Sequence, residues 1–483
     1  MTIGSSLARF SQDKPDALAV VCDDEAVTWR ELWRAVQAIA ESLEKRCAAG
    51  SSVALILRNS PSMVAHFLAC AVTGREAAVI DPAWPQARIT DALEALGSAI
   101  LYREPDAVIS GSVIVDTRAP MGFTQSNFQP RPINPDPPFY VGFTSGSTGR
   151  PKGYRRSHRS WLESFEGDRA EFGVTQDDVI LAPGSMTHSL FLYAVVHALH
   201  IGATVLISRS FHPGRALRMA NRHGATVAYG APTQLRMLID AHTEPLLKLR
   251  WILSSGAKWF AAASNDLARL APNARFAEFY GASELSFVAV RKSDEACPET
   301  SVGRAFANVN VFVRNDDGDL LAPGEVGRIF VHSPYLFLGY ATGDQSIMRH
   351  KDEMSVGDMG FLDPSGFLHL VGRADRMIVT SGKNVFAEEI ERALEQLSQV
   401  RAAAVFGVPD PLRGQKIVAF ILYEKDQALS RGEVTRSLRS LLPSAFIPHI
   451  LALPAQWRWT ASGKTDFKAM HALWDEGAWE EAP

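Results

Sequence analysis

The sequence predicts an α/β fold with a large N-terminal domain, containing parallel sheets and a β-rich subdomain, and a small α+β C-terminal domain. Three observations predict it. The chain has 483 residues, more than one hydrophobic core usually organises. Apolar runs alternate with amphipathic stretches over roughly the first three hundred residues. The pattern then changes near Asn310 and again after Asp375.

The alternating pattern begins early in the chain. Apolar runs at residues 53–57 and 77–80 predict buried strands, and amphipathic stretches at 29–43 and 62–72 predict helices. The same alternation continues through strand-like runs at 179–182, 203–207 and 226–229, with a helix-like stretch at 190–200. Strands that alternate with helices are typical of largely parallel sheets.

From about Asn310 the chain reads as short strands and turns, which predicts a β-rich subdomain. After Asp375 an amphipathic helix carries Ile390, Leu394 and Leu397 on one face, and apolar runs follow at 403–406 and 416–422. The stretch from Asp375 to the end of the sequence has about 109 residues, which is enough for a separate domain. We therefore predict domains at residues 1–374 and 375–483.

Composition excludes several classes of function. The net charge is −4 with both signs mixed along the chain, so no footprint for nucleic acid or an anionic membrane is predicted. Four cysteines lack paired metal spacing, which favours a reducing compartment. No apolar run reaches the roughly 18 residues of a membrane span, and the N-terminus lacks a secretory pattern. We expect a cytoplasmic protein.

Residues 143–153 concentrate hydroxyls, glycines and one ammonium after a short predicted strand. Backbone N–H groups, hydroxyls and a lysine in one loop can converge on a polyphosphate. The stretch does not match the Walker pattern, and a flexible glycine-serine linker is the alternative interpretation. The cationic residues that follow Lys152 are predicted to form a solvated face. The candidate phosphate-binding residues are Thr144, Ser145, Gly146, Ser147, Thr148, Gly149 and Lys152.

This loop resembles the phosphate loop of the acyl-adenylate-forming superfamily, which includes acyl-CoA synthetases, nonribosomal peptide adenylation domains and luciferases. Six further elements resemble motifs of that superfamily and follow in its order. They are Ser255-Gly256-Ala257, Tyr280-Gly281-Ala282-Ser283-Glu284, Ser355-Val356-Gly357-Asp358, Gly372-Arg373-Ala374-Asp375-Arg376, the pair Ser381-Gly382-Lys383-Asn384 and Glu388-Glu389-Ile390-Glu391, and Ser462-Gly463-Lys464. Taken singly, each has an ordinary reading as a core, turn or surface residue, but their joint order argues against those readings.

The resemblance implies residue roles in a two-step reaction that uses ATP and magnesium. Lys464 would bridge the substrate carboxylate and the α-phosphate, and Glu284 would help to hold magnesium. Asp375 would be the hinge of a mobile C-terminal domain, and Gly382 would meet the pantetheine arm of the entering thiol. The implied catalytic residues are Lys464, Glu284, Lys152 and Thr144; the remaining nucleotide-binding residues are Gly256, Ala257, Tyr280, Gly281, Ser283, Asp358 and Arg373.

The chemistry accounts for these residue types. A carboxylate becomes reactive toward thiols once its oxygen is joined to AMP, which is a good leaving group. That step depends on positioning and on neutralising charge more than on acid–base catalysis. An ammonium such as that of Lys464 can stabilise the charge that develops between the carboxylate and the α-phosphate. Tyr154 and Asn384 depart from common family residues, and we expect altered binding details there.

The segment between Pro183 and Gly202 resembles one wall of the acyl pocket. Ser189 stands where amino-acid-activating relatives usually carry an aspartate, so we predict a carboxylic acid without an α-amino group. His188 either gates the pocket or is a packed histidine with a backbone partner. The predicted substrate-binding residues are His188, Ser189, Phe191, Gly256 and Gly281; Lys258 either faces solvent or meets a second acid group.

Three functional hypotheses remain open at this point. The leading one is an acid–thiol ligase that uses coenzyme A. The second is a stand-alone adenylation enzyme that loads a phosphopantetheinyl carrier protein encoded on another chain. The third, a non-catalytic nucleotide-binding protein, conflicts with the presence of Lys152, Glu284, Asp358 and Lys464.

Overall fold

The computed structural model describes residues 1–98, 100–106, 112–117, 126–145, 151–256, 264–341, 347–425, 427–460 and 464–482. The chain forms two compact units. The larger comprises Met1–Val311 and Val331–Val356, and the smaller comprises Phe312–Phe330 and Gly357–Pro483. The smaller unit therefore includes segments that precede the predicted boundary at residue 375. A domain that moves about that boundary stays a prediction.

The helices have start and stop signals that the sequence supplies. Thr28 and Glu31 form a capping box at the start of the second helix, a feature that contributes about 1 kcal/mol. In chain order the helices are α1 (Leu7–Asp13), α2 (Trp29–Arg46), α3 (Pro61–Val72), α4 (Gln86–Leu96), α5 (His158–Phe172), α6 (Ser189–Ile201), α7 (Pro213–His223), α8 (Pro232–Ala241), α9 (Ser264–Leu270), α10 (Ala387–Glu395), α11 (Arg431–Leu441) and α12 (Phe467–Asp475). Among the described helices, none has both the length and the apolar content needed to cross a lipid bilayer.

The strands up to residue 305 are β1 (Leu18–Cys22), β2 (Glu25–Thr28), β3 (Ser52–Ile56), β4 (Glu76–Val79), β5 (Ile100–Arg103), β6 (Val113–Ile114), β7 (Pro138–Ser145), β8 (Pro151–Ser157), β9 (Val179–Ala182), β10 (Thr204–Ile207), β11 (Val227–Gly230), β12 (Trp251–Ser255), β13 (Arg275–Ala282), β14 (Ser286–Lys292) and β15 (Arg304–Ala305). The later strands are β16 (Asn310–Arg314), β17 (Gly327–His332), β18 (Gly339–Tyr340), β19 (Met348–His350), β20 (Glu353–Ser355), β21 (Asp358–Leu362), β22 (Leu368–Arg373), β23 (Met377–Thr380), β24 (Lys383–Phe386), β25 (Val400–Asp410), β26 (Gly414–Tyr423), β27 (Ile450–Pro454) and β28 (Trp479–Glu481).

Two mixed sheets organise the larger unit. One has the order β15-β14-β13-β12-β11-β9-β10-β1-β2, and its strands from β13 to β1 are parallel. The other has the order β18-β8-β7-β4-β3-β5-β6, with β7, β4, β3, β5 and β6 parallel. Helices α7 and α8 pack on the first sheet through a core that includes Leu181, Leu206, Leu217 and Leu235. The predicted α/β class is confirmed.

The smaller unit has its own sheet, in which β24, β23, β26, β27 and β28 follow one another and β25 pairs with β26. Both of its faces are covered. Ala403 and Val405 of β25 share a core with α10 and α11, whereas Ala404 packs with Met470 of α12. Also in this unit, β21 lies antiparallel to β22 and to the first residues of β17. In the larger unit, Val331 at the other end of β17 pairs with Met354 of β20.

Candidate active site

Strand β8 positions the basic residues that follow the predicted phosphate loop. It is hydrogen-bonded to β7 along one edge and to β18 along the other. The predicted solvated face is wrong for Arg156 and His158, which are only 4% and 2% exposed. Alternate residues of a strand share a face, and this places Lys152, Tyr154 and Arg156 on one face.

The phosphate loop joins β7 to β8. Backbone pairing sets Thr144 opposite Lys152 at the loop end of this hairpin. For Thr144 and Ser145 the structure describes the backbone. Gly146, Ser147, Thr148 and Gly149 lie outside the described residues, so their predicted contacts stay predictions.

The Tyr280–Glu284 motif ends β13 and turns into β14. Gly281 is required here because a Cβ at this position would lie 2.1 Å from the carbonyl oxygen of Ser286. The motif's Glu284 is 8% exposed and accepts a hydrogen bond of 2.8 Å from Tyr340 Oη. The ammonium of Lys152 lies 5.6 Å from the centroid of the Tyr340 ring. The structure thus brings Lys152 and Glu284 to the same tyrosine.

Tyr340 is a functional candidate that the sequence analysis missed. It lies in the two-residue strand β18, opposite Tyr154 of β8, and far along the chain from Glu284. The only signal in the sequence is its place in Leu338-Gly339-Tyr340, near the end of the large unit. No local pattern indicates that this segment adds a strand beside the phosphate loop.

The predicted acyl wall follows β9. His188 is the N-cap residue of α6 without a side-chain capping bond, and it is exposed. Ser189 Oγ lies 3.5 Å from Ser283 Oγ, so this wall reaches the Tyr280–Glu284 motif. Phe191 is 4% exposed and packs over Gly184, where a Cβ would lie 2.1 Å from the ring. The exposure of His188 argues against the packed alternative.

Asn59 fixes the loop that leads to His188, and the sequence analysis did not find it. Its Nδ2 donates to the carbonyl oxygens of Gly184 at 2.7 Å and Ser208 at 3.0 Å, and its Oδ1 accepts from the Met186 N–H at 2.9 Å. The side chain is buried at 6% exposure. Because the donors and the acceptor of this buried amide are all hydrogen-bonded, the side chain holds the loop in one conformation.

Another predicted nucleotide-binding residue, Gly256, directly follows β12. Gly256 has φ of +98°, a conformation that favours glycine, and Ser255 Oγ donates to the carbonyl of Phe279 at 2.9 Å. Ala257 and Lys258 lie outside the described residues. Tyr280 is half-buried, and its predicted stacking on adenine stays a prediction.

The smaller unit holds the remaining predicted residues. Asp358 and Arg373 are opposite each other in β21 and β22, and Arg373 Nε donates to Asp358 Oδ1 at 2.8 Å. The Lys464 N–H donates to Thr460 Oγ1 at 3.1 Å. Desolvation and then the positive charge of Arg373 lower the pKa of the Lys464 ammonium, although the residue as a whole is exposed. Asp358, Arg373 and Lys464 thus share a neighbourhood within this unit.

Asp375 and Gly382 are both exposed. Asp375 lies in a short 3-10 helix, Ala374–Arg376, between β22 and β23. Gly382 and Ser381 have φ of +73° and +50° and form the two-residue turn between β23 and β24, where a type I′ turn favours glycine. The roles of hinge and thiol contact stay predictions.

The donor set of the larger unit fits a hard cation that is shared with a phosphate. No group of three or more metal-ligating residues occurs in the described part of the chain. Mg²⁺ typically takes one or two carboxylates and completes its coordination with waters and substrate phosphates. The buried carboxylate of Glu284, close to Lys152 through Tyr340, is a donor of that kind.

The comparisons with known proteins agree with this geometry. Residues 7–341 match the family model described as AMP-binding enzyme, and residues 389–464 match the model of the AMP-binding enzyme C-terminal domain. The first match alone spans more than half of the chain. This chain belongs to the AMP-binding enzyme family.

Relatives of this AMP-binding enzyme carry ligase names. It is 36% identical over 87% of its length to an uncharacterized acyl-CoA ligase, YhfT, of Bacillus subtilis, and covers 88% of that protein. It is 28% identical over 98% of both chains to a putative long chain fatty acid-CoA ligase, VraA, of Staphylococcus aureus. The predicted membership of the acyl-adenylate-forming superfamily is confirmed, and with it the prediction of an enzyme.

The AMP-binding enzyme also shares its fold with solved structures. The o-succinylbenzoate CoA synthetase of Bacillus subtilis, in complex with its acyl-adenylate intermediate, superposes with a TM-score of 0.87 at 24% identity, covering 97% of this chain and 98% of that one. ATP-bound MatB of Rhodopseudomonas palustris gives 0.87 at 22% identity, with 99% and 100% covered. At these identities the likeness shows the fold alone.

Proposed function

We propose that this AMP-binding enzyme joins a carboxylic acid to AMP with ATP and then transfers the acyl group to coenzyme A. The observation that carries the proposal is the convergence of Lys152 and the buried Glu284 on Tyr340 at the loop end of the β7–β8 hairpin. An ammonium and a carboxylate at the mouth of a glycine-rich loop suit a metal-bound polyphosphate. The ligase names of the relatives support the same reaction.

ATP is assigned to the residues that the superfamily resemblance implies. Lys152 and the loop from Thr144 to Gly149 would bind the β- and γ-phosphates. Tyr280 would stack on adenine beside Gly256 and Gly281, and Asp358, oriented by Arg373, would accept from the ribose hydroxyls. Magnesium, when bound by Glu284, would neutralise phosphate charge. Each of these contacts uses a residue type whose chemistry fits that part of the nucleotide.

The first half-reaction needs charge stabilisation at the reacting atoms. The carboxylate oxygen attacks the α-phosphorus, the bond to pyrophosphate breaks, and acyl-AMP forms. The Lys464 ammonium would donate to the carboxylate and to an α-phosphate oxygen. Lys464 is exposed, and its backbone is held by hydrogen bonds with Thr460, so its long side chain can enter and leave a site.

The second half-reaction exchanges AMP for a thiol. The thiolate sulfur attacks the acyl carbon, and the bond to AMP breaks. In this scheme the domain at 375–483 rotates about Asp375, withdraws Lys464 and brings Gly382 to the pantetheine arm. Coenzyme A is preferred as the acceptor because the named relatives are CoA ligases. Loading of a separate carrier protein is the alternative.

The substrate is assigned to acids without an α-amino group. The wall that leads from His188 to Phe191 offers a hydroxyl at Ser189 and buried apolar groups at Met186 and Phe191. An α-ammonium that enters this pocket would lose its hydrating water and gain at best neutral acceptors. We expect this exchange to cost about 3 kcal/mol of binding free energy. The 2-succinylbenzoate ligase among the relatives and the fatty acid ligases both act, by name, on acids of this class.

Pyrophosphate release with a panel of acids, in the presence of hydroxylamine to trap acyl-AMP, tests the activity. Paired substrates test the class: hexanoate against norleucine, and cinnamate against phenylalanine. We expect the acid to exceed the amino acid by about a hundredfold or more in kcat/KM. No release with any acid would refute the ligase proposal, and preference for the amino acids would refute the assignment from Ser189.

Adding coenzyme A or a purified holo carrier protein to the same assay tests the acceptor. Thioester formation with coenzyme A, detected as acyl-CoA by mass spectrometry, is the expected outcome. Transfer only to the carrier protein would instead establish the alternative.

A further inference from the structure

Arg156 is a buried cation whose hydrogen bonds go to neutral groups. Its guanidinium donates to the carbonyl oxygen of Tyr335 at 2.7 Å, to that of Ser283 at 3.1 Å and to Ser160 Oγ at 3.2 Å. Among the described residues, no carboxylate lies within ion-pair distance of it. Burial lowers the pKa of Arg156 to about 10, so the side chain stays charged at neutral pH.

Its two carbonyl partners belong to the segments that carry Glu284 and Tyr340. Ser283 immediately precedes Glu284, and Tyr335 begins the segment that leads to Tyr340. Downstream of Tyr335, the Phe337 N–H donates to the Glu284 carbonyl at 2.9 Å, and Tyr340 Oη donates to the Glu284 carboxylate. The planar guanidinium fork of Arg156 therefore links the backbone of Ser283 to that of Tyr335. These two segments carry Glu284 and the tyrosine that hydrogen-bonds its carboxylate.

Tyr154, on the same face of β8, adds a second support. Its hydroxyl is 2.9 Å from that of Tyr140; burial raises the pKa of the Tyr154 phenol, and the neighbouring Tyr140 and Ser283 hydroxyls act in the opposite direction. Gly142 opposite makes room for both hydroxyls, since a Cβ there would lie 2.1 Å from Tyr154 Oη. An aliphatic side chain in place of Arg156 would fill space without fixing the backbone of Ser283.

Stability alone does not account for a buried guanidinium. A buried charge is costly, and apolar side chains of similar volume often serve as well for stability. What they cannot supply is a directional tie between two segments. We propose that Arg156 is a positioning residue that holds the Glu284 carboxylate in the orientation needed to bind the magnesium of ATP. This inference rests on the proposed function, because it concerns the metal ligand of that reaction.

The test compares Arg156→Met and Arg156→Lys with the wild type and with Arg159→Met. Arg159 is a guanidinium three residues away that is half-exposed and paired with Asp136 at the surface. Two quantities are measured: the Mg²⁺ concentration that gives half-maximal pyrophosphate release, and the Mg²⁺ dependence of thermal stabilisation by ATP with no acid present. The second readout does not depend on catalysis.

We expect Arg156→Met to raise the half-saturating Mg²⁺ concentration by about tenfold or more in both assays, as the loss of a residue supporting a metal ligand does. Arg156→Lys should give an intermediate increase, because one ammonium cannot reproduce the fork. Arg159→Met should match the wild type.

A folded Arg156→Met protein with unchanged Mg²⁺ dependence would overturn the inference, even if its melting temperature fell. If Arg156→Met does not fold, a wild-type Mg²⁺ dependence in Arg156→Lys overturns it equally. Failure of the wild type to release pyrophosphate or to be stabilised by ATP with Mg²⁺ would instead overturn the proposed function.

Discussion

The two units hold their predicted site residues in different ways. In the larger unit Glu284 is buried and accepts hydrogen bonds from Tyr340 and from the backbone of Phe337, which are distant in the chain. In the smaller unit Lys464 and Arg373 are exposed and held by partners close in the chain or across one hairpin. Buried groups with many partners define one position, whereas exposed groups on short loops can exchange partners at low cost. We infer that Glu284 belongs to the fixed part of the site, whereas the exposed Lys464 is suited to change partners during the reaction.

Replacing Lys464 by alanine should have the largest effect. Its ammonium is proposed to act only while acyl-AMP forms, so this half-reaction should slow by about a thousandfold, while thioester formation from supplied acyl-AMP stays near the wild-type rate. Rapid-quench assays of each half-reaction measure the difference. Lys425→Ala, which removes an exposed lysine of the same unit, is the control. Equal losses in both half-reactions would show that Lys464 is not specific to one state.

A proline at position 375 tests whether the predicted domain at residues 375–483 changes position during the reaction. Proline fixes φ near −65° and restricts the preceding residue, so Asp375→Pro should preserve one half-reaction and slow the other by at least about a hundredfold. Rotation there must also release the bond of 2.6 Å from Arg392 Nη2 to the Val371 carbonyl, which spans residue 375. Normal rates of both half-reactions would place the hinge elsewhere.

The buried interior of the larger unit should show its own pH dependence. Asp168 is buried and accepts from Tyr229 Oη at 2.9 Å, and its Oδ1 is 3.6 Å from His197 Nδ1. Burial raises the pKa of Asp168 from 3.8 to about 7 and lowers that of His197 from 6.5 to about 3. The raised acid makes stability fall as pH rises from about 4 to 7, and the depressed histidine makes it rise from about 3 to 6.5. The two trends oppose each other.

Removing one member of this pair should therefore leave a stability–pH profile that the other member dominates, and the difference from the wild type isolates the contribution of the residue removed. The melting temperature of Asp168→Asn, relative to the wild type, should increase by a few degrees as the pH rises to 7 and above. That of His197→Gln should increase, relative to the wild type, as the pH falls to 4. The melting temperature of each variant between pH 4 and 8, minus that of the wild type, measures the effect. Subtraction removes the contributions of the other buried histidines. Parallel profiles for both variants would contradict the assignment.

The sequence predicted the elements whose signals are local. Apolar runs gave β3, β4, β9 and β10 to within a residue or two. The motifs named Glu284, Asp358 and Lys464 because their neighbours in the chain are distinctive, and the roles of these residues stay predictions. Strand β8 was missed because it is rich in arginine, and its burial depends on pairing with β18 across the chain. Arg156, Tyr340 and Asn59 escaped prediction for the same reason: their roles come from contacts between distant segments, for which a single sequence holds no pattern.

The smallest expected effect concerns Arg373. It is half-exposed and pairs with Asp358 across one hairpin, and such pairs contribute about 1 kcal/mol or less to stability. Arg373→Gln should leave the melting temperature within about 1 °C of the wild type while raising the KM for ATP by about three- to tenfold, because Asp358 loses its orienting partner. Arg373 also contributes, after desolvation, to the lowered pKa of Lys464. Its removal should raise that pKa, so the alkaline fall in the rate of acyl-AMP formation should move to higher pH. A pH–rate profile of that half-reaction measures this shift. An unchanged alkaline limb, together with an unchanged KM for ATP, would show that Arg373 does not act at this site.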